Sequence, residues 1–195
     1  MADRLRMFVS AGPDMEAERE VIGQAVAKLP VPIGWVIKRT PHRGEPLALE
    51  AVESCDFYVL LLGSDISAPV GVELMAARKA GKVLLAFLKD VTHTPAAHAF
   101  AKVAGLDWMP FASAQELGTL LQKVLAQHIL DRALNYKLSP IEYETLSAFL
   151  EELNREEKGE QAPEQKEREP GGAGEGGVII APGRDLPPGG VPIEG

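Results

Sequence analysis

The run Phe57-Tyr58-Val59-Leu60-Leu61-Leu62-Gly63-Ser64-Asp65-Ile66-Ser67-Ala68-Pro69-Val70-Gly71-Val72-Glu73-Leu74-Met75-Ala76-Ala77 carries the key to this chain. Its first six residues are apolar without alternation, which marks a strand covered on both faces and therefore central in a parallel sheet. A loop of small and polar residues follows. A helix is then expected from Val70 to Ala80, with Gly81 at its C-terminal cap and one acid, Glu73, about a turn in. In an open α/β sheet, ligands gather outside the carboxyl ends of the strands, so this loop and Glu73 face the expected site.

The same grammar repeats outward in both directions. Val83 to Leu88 is a second continuous apolar run, hence a second central strand, and Leu5 to Ser10 is a first strand stopped by Ala11-Gly12-Pro13. Asp14 is expected to cap a helix that turns Met15, Val21, Ile22, Ala25 and Leu29 inward and Glu16, Glu18, Arg19 and Glu20 to water. A strand from Ile33 to Arg39, a short one from Asp107 to Phe111, and helices over Glu45 to Ser54, Pro95 to Val103 and Ser113 to Leu130 complete the series. The expectation is an α/β domain over residues 1–130, doubly wound around a five-stranded, mostly parallel sheet with right-handed crossovers.

A helical extension is expected over residues 131–157. Ser139-Pro140-Ile141-Glu142 has capping-box spacing with proline in the first turn, and a helix to about Glu157 carries the stripe Ile141, Tyr143, Leu146, Phe149, Leu150 and Leu153. That stripe packs on the domain or on a second copy. From residue 158 the composition turns charged and then glycine-rich, which reads as a flexible linker over 158–177. Residues 178–195 read either as a disordered end or as a docking peptide for a protein partner, with Val178-Ile179-Ile180 suited to strand addition.

The 195 residues are 46% hydrophobic and 25% charged, a globular composition, and the net charge of -8 argues against a nucleic-acid partner bound by phosphate neutralisation. Cys55, the one cysteine, excludes an internal disulfide and sits where a buried strand begins, so it reads as a core thiol in a reducing cytoplasm. No segment approaches the roughly 20 apolar residues of a membrane helix, and no signal-peptide run opens the chain, so a cytoplasmic protein without a membrane partner is expected. His93, His98 and His128 lack metal-ligand spacing and are expected at the surface. No metal site and no cofactor are expected. There is no Walker loop, no GxSxG elbow and no CxxC pair.

The opening Met7-Phe8-Val9-Ser10-Ala11-Gly12-Pro13, followed by Glu16 and Glu18, resembles the first strand and loop of nucleoside 2-deoxyribosyltransferases. The likeness continues through Cys55-Asp56-Phe57-Tyr58-Val59-Leu60-Leu61-Leu62-Gly63 and Val72-Glu73-Leu74-Met75-Ala76-Ala77-Arg78-Lys79-Ala80-Gly81-Lys82-Val83. The chain is also similar to an uncharacterised bacterial domain often joined to signalling ATPases. It looks like TIR domains again in the spacing of Ser67 and Glu73. The resemblance covers roughly residues 5–130 and implies a flavodoxin-like or TIR-like fold. Pro69-Val70 stands where the transferases place Gly-Thr and TIR domains a Trp-Cys pair, which leaves fewer groups to orient a sugar.

What the resemblance implies is cleavage or exchange at a ribosyl N-glycosidic bond, as an N-glycosidase or N-ribosyltransferase, with NAD or a nucleotide as substrate rather than cofactor. Glu73 is then the catalytic carboxylate that faces an oxocarbenium-like transition state, and Asp65 binds the ribose or supports it. Ser10, Gly12, Gly63 and Ser67 border the ligand, and Arg39, His42 and Arg43 lie in the loop after the second strand, where a guanidinium can grip phosphate. TIR-like sites are often completed across a subunit contact, which implies a homo-oligomer. Other readings stay open. A glutamate early in a helix is favoured by the helix dipole with no chemistry, Gly12 and Gly63 also suit tight turns, and Asp65 also suits a turn former. Asp56 is expected to cap or end a helix. The alternative function is a non-catalytic nucleotide-sensing or scaffolding module in a bacterial signalling or defence assembly.

Overall fold

The computed structural model describes residues 4–31, 33–41 and 45–157. Five strands, β1 (Leu5–Ala11), β2 (Trp35–Arg39), β3 (Phe57–Leu62), β4 (Val83–Lys89) and β5 (Trp108–Phe111), form one sheet in the order β2-β1-β3-β4-β5. Every pairing is parallel, with Met7 opposite Phe57 and Phe57 opposite Val83. The sheet expected to be mostly parallel is thus wholly so. The helices are α1 (Glu16–Ala27), α2 (Leu49–Glu53), α3 (Ala68–Lys79), α4 (Pro95–Val103), α5 (Ala114–Asp131) and α6 (Pro140–Glu157).

The unbroken apolar run of β3 has the reason inferred from its sequence. Phe57, Val59 and Leu61 join one core with Ile22, Val26, Leu121 and Leu125, while Tyr58 and Leu60 join another with Val52, Val70, Leu74 and Ala77. Successive side chains of a strand point to opposite faces, and here α1 and α5 cover one face and α2 and α3 the other. Burying side chains such as Leu60 and Leu61 stabilises by about 1.5–3 kcal/mol each.

The ends of the elements show what local pattern conveys. Ser113 caps α5, accepting from the Glu116 amide at 3.2 Å, and Thr94 caps α4, accepting from the Ala97 amide at 3.2 Å. The Ser139 capping box closes in both directions, at 2.7 Å and 3.3 Å. Gly81, with φ of 63°, ends α3 in the left-handed region. The apolar stripe of α6 turns onto α5 and seats Leu146 and Leu153 in the domain, leaving Ile141 and Tyr143 exposed.

Several expectations are corrected. Asp14 caps nothing: Pro13–Met15 form a short 3-10 turn whose N-cap is Gly12, and the Asp14 carboxylate accepts instead from the Ser64 amide and hydroxyl at 2.8 Å and 2.9 Å. Glu18 and Arg19 do not face water. Glu18 is buried against Lys89 at 2.6 Å, and Arg19 donates to the Ala11 carbonyl at the end of β1. The helix expected from Glu45 starts only at Leu49, because its N-cap Ala48 holds a non-helical backbone with φ of -87° and ψ of 50°. Asp56 accepts from the Arg6 amide at 2.7 Å and so ties β3 to β1 rather than capping a helix. His128 packs edge-on against Phe57 with ring centroids 4.9 Å apart, and burial holds its pKa below the ordinary value. The proposed linker and tail, residues 158–195, lie outside the described residues.

Candidate functional site

The strand order reverses direction between β1 and β3, because β2 was laid on the far side of β1 before the chain returned to start β3. The loops leaving β1 and β3 therefore diverge, and the crevice between them is where open α/β sheets hold ligands. A cleft of about 700 Å³ opens there, lined by Ala11, Pro13, Glu16, Arg19, Thr40, Pro41, Glu45, Leu47, Ser67 and Pro69. Its walls come from the ends of β1 and β2, the start of α1 and the N-terminus of α3.

Behind Thr40, which lines this cleft, Glu73 is fully buried. The helix begins two residues earlier than expected, at Ala68, so Glu73 stands in its second turn and points at the sheet rather than at the helix N-terminus. Ser10 at the end of β1 donates to Glu73 Oε2 at 2.5 Å, and Thr40, just past β2, donates to the same oxygen at 2.8 Å. The Ala11 amide in turn donates to Thr40 Oγ1 at 3.2 Å. The other oxygen, Oε1, is buried and has no hydrogen-bond partner among the described residues. Burial raises the Glu73 pKa above its ordinary 4.5, against the two hydroxyl donors and the positive charge of Arg19, which favour the carboxylate. Thr40 both lines the cleft and donates to Glu73, and it connects the ligand space to the acid.

The other expected site residues separate into those around this acid and those elsewhere. Ser10 reaches Glu73 directly, and Ser67 lies on the cleft wall. Gly12 and Gly63 shape the loops. A Cβ on Gly63 would sit 2.6 Å from Met15 Sδ and against the Asp14 carboxylate, and one on Gly12 would sit 2.6 Å from Asp14 Oδ1. Arg39 pairs with Glu16 at 3.3 Å and Glu20 at 3.7 Å on the flank of α1. Asp65 is exposed and turned toward α4: its Oδ1 accepts from Thr94 Oγ1 at 2.7 Å and the Ile66 amide at 2.8 Å. The Thr94 bond, then the Ile66 amide, holds its pKa below the ordinary value. His42 and Arg43 lie outside the described residues.

Thr40 and Arg19 do not stand out in the sequence. Thr40 carries a usable signal, a hydroxyl residue directly after a strand and so at the ligand edge of the sheet, as Ser10 does. Arg19 carries none, since a charged residue among Glu16, Glu18 and Glu20 reads as a solvated face. Cys55 is a buried thiol, its pKa pushed up to about 11 chiefly by burial, in keeping with an inert core group. A second hollow of about 520 Å³ lies between α1, α5 and α6, on a helical flank away from the strand ends. Among the described residues no cluster of His, Cys, Asp or Glu could hold a metal, and no helix is long and apolar enough to cross a membrane.

No protein-family model matches the chain, and no curated protein does. Among solved structures, the chain is similar to the Clostridium botulinum CMP N-glycosidase BcmB, with a TM-score of 0.42 and 19% identity over 60% of this chain and 97% of that one. A likeness at that level carries no assignment of activity.

Proposed function

We propose that the chain binds a nucleoside-type ligand, either a nucleotide or NAD, in the cleft at the switch point and cleaves or transfers at its ribosyl N-glycosidic bond. The observation that carries this reading is Glu73: a fully buried acid at the carboxyl edge of the sheet, with one oxygen held by two hydroxyls and the other without a partner among the described residues. Breaking the bond between C1′ and the base nitrogen sends the electron pair to the base and leaves positive charge on C1′ and the ring oxygen. A carboxylate fixed nearby offsets that charge or bonds to C1′, and water or an acceptor completes the exchange. Ser10 and Thr40 favour the ionised form that burial opposes. Prolines 13, 41 and 69 with Leu47 offer apolar surface to a base, while Ser67 and Thr40 offer hydroxyls to a ribose. Arg39 and Arg43 stand as candidate phosphate contacts, and Asp65 and His42 as further candidate ligand residues.

A second reading, a nucleotide-sensing module without turnover, is favoured by one feature. Glu73 has no exposed surface, so a bound ribose meets Thr40 first. The purified protein incubated with NAD, nucleosides, deoxynucleosides and nucleoside monophosphates, with free base followed by chromatography, separates the two. Base release that Glu73→Gln abolishes supports catalysis. Calorimetric binding without release at any pH supports the sensing module, and neither release nor binding overturns both.

A further inference from the structure

The cleft carries a charged group that the proposed reaction leaves unused. Arg19 lines it, yet its side chain is only 5% exposed. Nη2 donates to the Ala11 carbonyl, Nη1 pairs with Glu16 Oε2 at 3.1 Å, and the buried Nε has no partner among the described residues. Glu16 is placed differently. It opens α1, lines the same cleft and keeps its side chain 54% exposed. Its other oxygen, Oε1, accepts from Arg39 Nη1 at 3.3 Å, so one carboxylate spans two guanidiniums with each oxygen on a different arginine. Arg39 ends β2, directly before the cleft residue Thr40. An acid in the first turn of a helix with a base three residues on is an ordinary surface pair. The burial of Arg19 sets this one apart: a guanidinium taken out of water is costly unless its donors are satisfied, and the acid that pairs with it is half in water.

We propose that Arg19 and Arg39 form a phosphate subsite of the cleft, that the Glu16 carboxylate holds this place until a ligand displaces it, and that the ligand is therefore a nucleoside bearing a phosphate or pyrophosphate. The inference rests on the cleft as the nucleoside site and names the anionic part of what it takes. Carboxylates and phosphates offer paired oxygens to a guanidinium in the same forked geometry, so the Glu16 carboxylate marks where a phosphate is accepted. A phosphate brings more charge and more acceptors to the two arginines than one carboxylate does. The bond it replaces between Glu16 and Arg39 is exposed on both sides, and such pairs are held weakly. Once released, Glu16 still stands in the first turn of α1, where an acid is favoured, and the phosphate meets the same positive helix end. Glu20 also pairs with Arg39, at 3.7 Å, and keeps it beside α1 during the exchange.

The test is calorimetric binding to the full-length protein of inorganic phosphate, the common nucleoside 5′-monophosphates, their parent nucleosides and NAD. The wild type takes a phosphate-bearing probe more tightly than the matching nucleoside. Glu16→Ala removes the competing carboxylate and tightens that probe roughly 5- to 10-fold while the nucleoside is unchanged. Arg39→Gln weakens the same probe at least about tenfold and again spares the nucleoside. Arg19→Gln does likewise, and should it fail to fold, the Glu16 and Arg39 variants decide alone. A gain confined to the monophosphates marks a 5′-phosphate as the natural group, and one confined to NAD marks a pyrophosphate. No tightening in Glu16→Ala, equal tightening of nucleosides, or no binding of any phosphate-bearing probe by any variant overturns the subsite. Base release from nucleosides without a preference for phosphate leaves the cleavage reading standing and removes the subsite. Phosphate-dependent binding without base release keeps the subsite and removes cleavage.

Discussion

Glu73 and Asp65 sit in one loop-helix unit after β3, and the fold treats them in opposite ways. Glu73 is drawn under the sheet edge, where burial raises its pKa and two hydroxyls hold it. Asp65 stays in water, where Thr94 and the Ile66 amide lower its pKa, and latches the loop to the start of α4. The same chemical group is thus a destabilised buried charge in one place and a relaxed turn former in the other. What decides between them is the direction in which the backbone presents each Cβ, toward the switch point or away from it.

The largest expected effect separates the two acids by turnover. Glu73→Gln keeps acceptors for Ser10 and Thr40 yet removes the charge, and base release falls at least about 100-fold, as for loss of one electrostatic stabiliser of a transition state. Asp65→Asn, assayed alongside, retains most of the rate. Equal losses in both would break the contrast.

Next comes Gly63→Ala, which strikes the turn from which both acids are launched. A Cβ there meets Met15 Sδ at 2.6 Å and the Asp14 side chain that holds Ser64, and overpacking of this kind costs about 1–3 kcal/mol. Urea unfolding measures it. An unchanged midpoint would show that the two loops are not in register as described.

A smaller effect concerns pH. The folded pKa of Glu73 lies above its unfolded value near 4.5, so its contribution to stability is present below that pH and lost as pH rises through the folded pKa. Glu73→Gln has no such dependence, so its melting temperature gains on wild type as pH rises from about 4.5. Asp65 has the opposite sign: its contribution is present above about 3.8 and lost as pH falls through its depressed folded value. Being exposed, it gives the smallest effect, and Asp65→Asn should shift the melting curve barely at all and only above that pH.

The residues legible in the amino-acid pattern are those whose role is local. Phe57 to Leu62 announces a doubly covered strand by composition alone, and Ser139 with Glu142 announces a helix start by spacing. The buried glutamate is legible as a candidate because it follows a central strand at a short, fixed remove. Its partners are less so. Thr40 is 33 residues away and Ser10 63, and no periodicity links positions that only the parallel pairing brings side by side.

Local pattern was enough for the strands, most of the helices and the parallel class of the sheet, because hydrophobic periodicity and capping act over a few residues. Long-range packing had to settle that Glu18 and Arg19 turn inward, that Asp14 clamps Ser64 instead of capping a helix, and that α6 lies on α5. It also gathered Ser10 and Thr40 around one carboxylate. Those outcomes depend on which strand lies beside which, and that order is set by packing two cores on opposite faces of one sheet at once.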